Sequence, residues 1–322
     1  MTQHLRHTQG GAALLMAMLT VTLVATLASA ALWQQWRQVE IETAERGRSQ
    51  TAWMLTGAFD WTRLILREDV LSAQGKEVDH LGEPWALPVQ ESRLSSFLSQ
   101  DQQWQEGDAE VFLSGQITDA QSRMNVMNLI ENDQVSETAL LRFARLFERL
   151  NLPEQELQTL ARQLQMAVKA QKTTGPAPDG VPLMPQQPQQ LVWLGLSRAT
   201  WAALENFITI LPTPTPVNLN TAPAEVLMAS VPGLDMAAAN QWVQQREQGH
   251  WTTLDEAQKA LGPVGAALQA AQHSVQSQYF EVLGRMRIDK VVQQELSLVR
   301  RDGTRVSLLW RVRSAVRVTD AL

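Results

Sequence analysis

The sequence predicts an α+β fold, in which a long N-terminal helix packs on an antiparallel sheet and a large all-α domain is inserted into that sheet. Three observations predict it. An uncharged segment near the N-terminus continues without proline into an amphipathic stretch. Strand-like alternation occurs at residues 109–119 and again after residue 279, and the residues between these stretches have helical periodicity. We therefore expect the sheet to be built from both ends of the chain.

Composition narrows the possible function. The 322 residues suffice for an anchor and one or two domains. The formal net charge of -6 disfavours a nucleic-acid partner, because Lys and Arg that neutralise phosphates supply most non-specific affinity. The absence of cysteine excludes disulfides, thiolate metal sites and a cysteine nucleophile. The five histidines have no metal-ligand spacing, and no Gly-rich phosphate loop or Gly-x-Ser-x-Gly occurs, so we expect no enzyme activity and no catalytic residue.

The first element is an apolar segment, residues 12–33, that follows a short basic leader, residues 1–11. About 22 residues at about 1.5 Å each form a helix of about 33 Å, which is long enough to span a bilayer. A secretory signal would be cut near Ala28-Ser29-Ala30 or Ser29-Ala30-Ala31, and the helix would be lost. A pilin-like signal would be cut after Gly11, and the helix would remain. The glycine-ended leader favours the second alternative.

Charge predicts the orientation of this segment. Arg6 precedes it, helped by His4 and His7, whereas Arg37 after it is followed by several glutamates. The positive-inside rule then places the N-terminus in the cytoplasm and the rest of the chain in the periplasm of a Gram-negative cell.

The next elements form the two halves of an α/β domain. Residues 34–125 contain a periplasmic helix, one long helix over 34–74 or two helices broken at Gly47 or Gly57, and the strand 109–119. Residues 279–322 contain three further strands, over 279–289, 291–301 and 304–314. Asp302-Gly303 between the last two strands predicts a two-residue hairpin. The long helix is expected to cover one face of this sheet.

The inserted α-helical domain is predicted over residues 126–278. An amphipathic helix over 137–150 is expected to place its apolar residues on one side, and a second helix follows over 153–170. These apolar residues are Leu140, Leu141, Phe143, Ala144, Phe147 and Leu150. Residues 173–190, rich in Pro, Gly and Gln, are expected to form a linker without regular structure.

Residues 216–256 have a helix-hairpin-helix-like layout. Asn220 or Thr221 is predicted to cap the first helix, which turns through Pro232-Gly233-Leu234 into a second helix that begins behind Asp235. In DNA-binding versions a glycine stands where this chain has Asp235, and the hairpin N–H groups contact a phosphate. A carboxylate there repels phosphate, so the layout predicts packing. His250, beside Trp251, is expected to pack at the end of the second helix.

A polar cluster stands where sheet and insertion meet, in ITDAQSRMNVMNLI, residues 117–130. Asp119, Arg123, Asn125 and Asn128 are predicted to form a hydrogen-bonded corner. The spacing of Asp119 and Arg123 suggests that the two pair on a helix turn.

Together these features resemble one known family. The glycine-ended leader, GEPWALP (82–88), ITDAQSRMNVMNL (117–129) and VNLNTAPAEVL (217–227) occur in the order seen in the minor pseudopilin K of type II secretion systems, the general secretion pathway protein K family. The resemblance covers nearly the whole chain. It implies a pilin-like α/β fold with a helical insertion, and a role in capping the pseudopilus tip and initiating its assembly for protein export.

The resemblance also implies processing and partners. Prepilin peptidase would cut between Gly11 and Ala12 and methylate the new N-terminus. Major pseudopilins carry a glutamate where this chain has Met16, and its absence is typical of the K component. The partners would be minor pseudopilins I, J and H, the major pseudopilin, prepilin peptidase and the inner-membrane assembly platform. The protein would lie in the inner membrane with a single pass, and then at the pseudopilus tip.

Some family members bind calcium through acids of the helical domain. Between Glu156 and Glu205 this chain has one acid, Asp179, so we expect no cofactor, although Asp119, Glu131 and Asp133 remain candidate ligands. Two alternatives for the function stay open at this point: a membrane-anchored helix-hairpin-helix DNA receptor and a minor pilin of a type IV pilus.

Overall fold

The computed structural model describes residues 10–73, 77–93, 111–173, 180–288 and 291–317. The chain divides into two compact units, Met1–Thr56 and Gly57–Leu322. The leader side chains His4, Arg6 and His7, most of the linker's first half and the last five residues of the chain lie outside the described residues.

One helix, α1, runs from Gly10 to Ser72 and contains 63 residues. It continues through Gly47 and Gly57, so the alternative of two separate helices is wrong. In its N-terminal half the apolar side chains are exposed, including Leu14 (65%) and Met16 (67%). The hydroxyl groups of this half, on Thr20, Thr22, Thr26 and Ser29, donate to carbonyls three or four residues earlier. Among the described residues, α1 alone is long and apolar enough to cross a membrane.

The sheet contains five strands in the order β1-β2-β3-β4-β5, and each neighbouring pair is antiparallel. They are β1 (Val89–Arg93), β2 (Val111–Asp119), β3 (Tyr279–Ile288), β4 (Val291–Asp302) and β5 (Arg305–Arg317). Four of them lie where the sequence predicts strands. The predicted residues 109–110 and 289 lie outside the described residues.

Two details of the sheet differ from the prediction. The hairpin loop is Gly303-Thr304, because Asp302 pairs with Arg305 in the register. Gly303 has φ 53, a left-handed conformation that glycine adopts without a Cβ penalty. The edge strand β1 was not predicted, since its sequence VQESR lacks apolar alternation.

The C-terminal part of α1 packs on the sheet. Phe59 and Leu66 are buried in one cluster with Trp85 and with apolar residues of four strands. The strand residues of this cluster are Ile117, Phe280, Val282, Val299 and Val306. Trp85 meets Phe280 edge to face, with ring centroids 5.1 Å apart. The predicted packing of a long helix on an antiparallel sheet is therefore confirmed.

Between β2 and β3 the chain forms a mainly helical region, residues 120–278. Its α-helices are α2 (Glu137–Arg149), α3 (Glu154–Lys172), α4 (Arg198–Leu204), α5 (Ala224–Ser230), α6 (Met236–Gln248) and α7 (Leu254–Ala260). Two-residue parallel bridges join 124–125 to 208–209 and 217–218 to 273–274, which the helical pattern did not predict. The region has its own core, in which Leu146 and Leu160 are fully buried. The predicted insertion of a helical region into an α+β fold is confirmed.

Two local predictions in this region are wrong. Leu141 is exposed (68%) and Arg142 is buried, because a rotation of about 100° per residue turns Leu141 away from the face that Phe143 and Phe147 share. The predicted linker ends too late, since a 3-10 helix occupies Pro188–Leu194. A capping box between Gln187 and Gln190 begins that helix.

Candidate functional site

The hairpin between α5 and α6 carries a carboxylate, that of Asp235, at the start of its second helix. Gly233 has φ 83 and makes the turn, as the sequence predicts. Asp235 Oδ1 accepts the backbone N–H of Ala238 at 2.8 Å and caps α6. The carboxylate thus occupies the helix N-terminus at which a phosphate would bind.

The predicted cap of α5 is wrong. Pro223 occupies the N-cap and makes no side-chain bond. The side chain of Asn220 instead pairs with the backbone N–H and C=O of Trp251, at 2.9 and 3.0 Å. Thr221 Oγ1 donates to Asp119 Oδ2 at 2.5 Å. Asn220 therefore joins two segments of the helical region, and Thr221 joins that region to the end of β2.

Asp119 is the centre of a buried polar cluster, which we call the Asp119 junction: Asp119, Asn218, Thr221 and Ser277. Asp119 Oδ2 accepts from Asn218 Nδ2 at 2.9 Å, from Thr221 Oγ1 at 2.5 Å and from Ser277 Oγ at 2.6 Å. Its Oδ1 accepts the N–H of Gln121 at 2.7 Å. The donors come from the start of the insertion, the hairpin segment and the segment before β3, so a single carboxylate holds together residues far apart in the sequence.

The predicted pairing of Asp119 with Arg123 is wrong. Arg123 forms an ion pair with Glu281 on β3. Asp119 is the last residue of β2 and has extended φ and ψ, and a 3-10 turn over Ala120–Ser122 follows it. A spacing of four residues brings side chains together only in an α-helix.

Asn125 and Asn128 form the predicted hydrogen-bonded corner with residues 211–215. Asn125 Oδ1 accepts the N–H of Leu211 at 3.1 Å, and its Nδ2 donates to the carbonyl of Thr213 at 2.8 Å. Asn128 pairs with both backbone groups of Thr215, at 2.8 and 2.9 Å. These amides satisfy backbone groups that would otherwise be buried without partners.

A buried ion pair adjoins the junction. Arg301 donates from Nη2 to Asp79 Oδ1 at 2.5 Å and from Nη1 to Asp69 Oδ2 at 2.7 Å. Asp79 also accepts the N–H of Ser277 at 2.7 Å, which connects the ion pair with the Asp119 junction. Burial raises the pKa of Asp79 to about 6, although the charge of Arg301 opposes this shift. Burial also raises the pKa of Asp119, while its hydrogen bonds oppose the shift.

Three carboxylates of this area, Asp69, Asp79 and Glu83, have oxygens within 4.8 Å of one another. Arg301 donates to two of them, and Glu83 Oε2 accepts from the His80 N–H and from Trp85 Nε1. The guanidinium supplies the positive charge that a cation would otherwise supply. The acids named as calcium candidates do not lie together among the described residues. Glu131 accepts a hydrogen bond from Ser136, Asp133 pairs with Lys172, and Asp119 lies in its junction.

Sequence reasoning missed Asp79, Ser277 and Arg301. One signal was present: Arg301 lies on the same face of its strand as Val299, which is fully buried. A charged residue at an inward position requires a partner. The motif GEPWALP has a similar explanation, because Glu83 and Trp85 bond each other while Trp85 fills the core.

His250 lies near the end of α6, and its partner was not predicted. Its ring stacks on that of His80, with centroids 3.7 Å apart and planes 10° from parallel. Trp251 meets Trp242 of α6 edge to face. Arg246 on α6 is buried and donates to the carbonyls of Leu219 and Ala222. The hairpin is thus fixed by polar contacts on several sides.

Comparison with known proteins covers the same segments. Two family models, both described as type II secretion system protein K, match residues 122–213 and 217–276. A protein of Pseudomonas aeruginosa described as type II secretion system protein K is 25% identical over 92% of this chain and 90% of its own length. A Klebsiella pneumoniae protein of the same description is 26% identical over 95% and 97%. The chain is therefore similar to type II secretion system protein K along most of its length.

The fold of the chain also agrees with that of a solved structure. A chain in the crystal structure of the GspK-GspI-GspJ complex from enterotoxigenic Escherichia coli superposes with a TM-score of 0.62. The match is 19% identical and covers 84% of this chain and 98% of the other. The resemblance drawn from the sequence motifs is therefore confirmed, and so is the role that it implies, that of a minor pseudopilin of type II secretion. The apolar N-terminal helix fits a single-pass membrane anchor.

Proposed function

We propose that this minor pseudopilin caps the pseudopilus tip and helps to initiate its assembly with minor pseudopilins I, J and H below it. The observation that carries the proposal is a contrast within α1. Large apolar side chains are exposed at Trp33 and Trp36 and again at Trp53, whereas Phe59 and Leu66 farther along are buried against the sheet. Lipid can cover the residues up to about 33, and partner helices can cover those beyond. The GspK-GspI-GspJ complex of enterotoxigenic Escherichia coli supports the choice of I and J as partners.

The proposal includes processing between Gly11 and Ala12 by prepilin peptidase, with methylation of Ala12. It places the N-terminus in the cytoplasm and residues 34–322 in the periplasm, where they meet the major pseudopilin and the assembly platform. Met16 supports a tip position. A carboxylate buried in lipid is costly unless it has a partner, and a subunit with no other subunit above it has no neighbouring N-terminus for a glutamate at this position to pair with. We also propose that the inserted helical domain begins at residue 126 and ends at residue 278. Its bulk blocks the addition of a further subunit.

Complex formation tests the function. We expect residues 34–322 to co-purify with the I and J partners when the three are co-expressed. Trp53→Ala should weaken the complex, because Trp53 is exposed (75%) on α1. Trp193→Ala, which removes an exposed tryptophan of the helical region, is the matched control. Failure to form any complex, or equal loss in both variants, would contradict the proposal.

Mass spectrometry of the mature N-terminus tests the processing. We expect methylated Ala12, and we expect Gly11→Val to leave the leader attached while Gly10→Val is processed. A mature start near Ala31 or Leu32 would instead identify a removable secretory signal. The alternatives of a DNA receptor and a type IV minor pilin have no specific observation in their favour, since Asp235 caps a helix and both family models name type II secretion.

A further inference from the structure

A basic cleft of about 460 Å³ lies beside the hairpin of β4 and β5. We call it the arginine cleft. Its lining residues are Asp60, Arg63, Leu64, Arg67, Thr304, Arg305 and Val306. All of them lie in the second compact unit. The volume is in the range of sites that bind small ligands or a few side chains.

The charges in the cleft are unbalanced. Asp60 is the single acid of the lining, and it accepts a hydrogen bond from Arg63 Nη1 at 3.3 Å. Arg67 and Arg305 have no carboxylate partner within the described part of the chain. Two exposed guanidinium groups in a cleft produce a positive potential and attract an anionic ligand. Guanidinium groups also bind carboxylates with two parallel hydrogen bonds.

Arg63 is held in place before any ligand arrives. Its Nε donates to the carbonyl of Val306 at 3.1 Å, in addition to the bond with Asp60. The guanidinium therefore joins α1 to β5 and fixes the cleft wall, so that little side-chain entropy is lost on binding. The side chain of Leu64 is exposed (54%) among the three arginines, whereas that of Val306 is buried in the core beneath them. The cleft thus offers charge together with one apolar side chain.

We propose that the arginine cleft binds an extended acidic peptide segment of another polypeptide, with carboxylates on Arg67 and Arg305 and an apolar side chain against Leu64. The mixed lining favours a peptide over a nucleic acid, and the net charge of -6 disfavours nucleic acid as well. Strand β5 is the last of the described sheet, so an extended segment can continue along its outer edge. The proposal does not depend on the tip position.

The test uses the full chain in non-ionic detergent and a dye-labelled peptide of alternating glutamate and leucine, with its glutamine counterpart as control. Fluorescence anisotropy at low ionic strength should show binding of the glutamate peptide alone. The double variant Arg67→Gln, Arg305→Gln should lower the affinity about tenfold. Arg162→Gln with Arg198→Gln removes the same charge from the exposed surface of α3 and α4 and should change it less than about twofold.

Four outcomes would overturn the proposal. Equal binding of the glutamine peptide would show apolar binding only, and equal loss in both double variants would show attraction by overall charge. Displacement of the peptide by equimolar inorganic phosphate would identify a simple anion site. Binding to phosphatidylglycerol vesicles that only the cleft variant loses would identify a lipid surface. The four substituted arginines are all exposed, so we expect the thermal unfolding of both double variants to be unchanged.

Discussion

Residues 12–41 of α1 and the helical region at 120–278 are both mainly helical, yet they differ in the burial of their apolar side chains. Along residues 12–41 the leucines, valines and tryptophans are exposed. In the helical region comparable side chains form one core, with Leu146, Leu157 and Leu160 fully buried. The first stretch requires lipid or partner helices, while the second supplies its own apolar environment. Anchoring and folding are therefore assigned to different stretches of one chain.

Deletion of residues 1–33 should have the largest effect on this contrast. We expect membrane association to be lost completely, because the removed segment carries the apolar span. The remaining chain should keep its helical and sheet content, since the described cores lie beyond residue 55. Carbonate extraction and circular dichroism measure the two effects. A truncated chain that unfolds would show that the helical region depends on the anchor.

Asp119→Ala should be the most destabilising single change in the second unit. It leaves the N–H of Gln121 and the side-chain donors of Asn218, Thr221 and Ser277 without their acceptor. At about 1–3 kcal/mol for each buried unsatisfied group, with incomplete additivity, we expect a loss of about 4 kcal/mol. Urea unfolding of residues 34–322 measures it.

Two further variants control this prediction. Asp119→Asn keeps one oxygen and should lose less. Asp235→Ala removes an exposed helix cap and should cost about 1 kcal/mol. Equal losses for Asp119→Ala and Asp235→Ala would show that the Asp119 junction is not a centre of stability.

Two glycines provide a direct comparison of α1 with the helical region. A Cβ at Gly265 would lie 1.9 Å from the carbonyl oxygen of Gln258, so Gly265→Ala should cost about 3 kcal/mol. A Cβ at Gly57 in α1 would meet no atom within 4 Å, so Gly57→Ala should stabilise by about 0.5–1 kcal/mol through helix propensity. Denaturant unfolding of both variants gives the signs. A destabilising Gly57→Ala would indicate a packed surface at that point of α1.

The sequence predicts those features that depend on local periodicity. The long helix, four of the five strands and the start of α6 at Asp235 follow from apolar spacing and cap chemistry. The site depends on long-range pairing, which local spacing does not contain. Asp119 was placed correctly at the border of sheet and insertion, but its partners Asn218 and Ser277 lie about a hundred or more residues away. The same reason explains why the ion pair of Asp79 with Arg301 was missed.

The smallest predicted effect comes from the stacked pair of His80 and His250. Its rings are polar, unlike the apolar side chains compared above. Burial lowers the pKa of His80 to about 4, and the charge of His250 adds to the shift. A base whose pKa is lowered on folding stabilises the folded state above its unfolded pKa of 6.5, and this stability is lost as the pH falls from about 6.5 to about 4. Asp79 has a raised pKa, so its contribution to the stability of the folded state is instead lost as the pH rises from about 4 to about 6.

His80→Phe keeps an aromatic ring in the stack and removes the titration. The variant should therefore lose less stability than the parent protein between pH 6.5 and 4, because the contribution of Asp79 is common to both and cancels in the difference. His250→Phe should give an intermediate slope, since it removes one of the two causes of the shift. Urea unfolding at several pH values measures the difference. Parallel profiles for the parent protein and His80→Phe would show that the pair does not contribute to acid sensitivity.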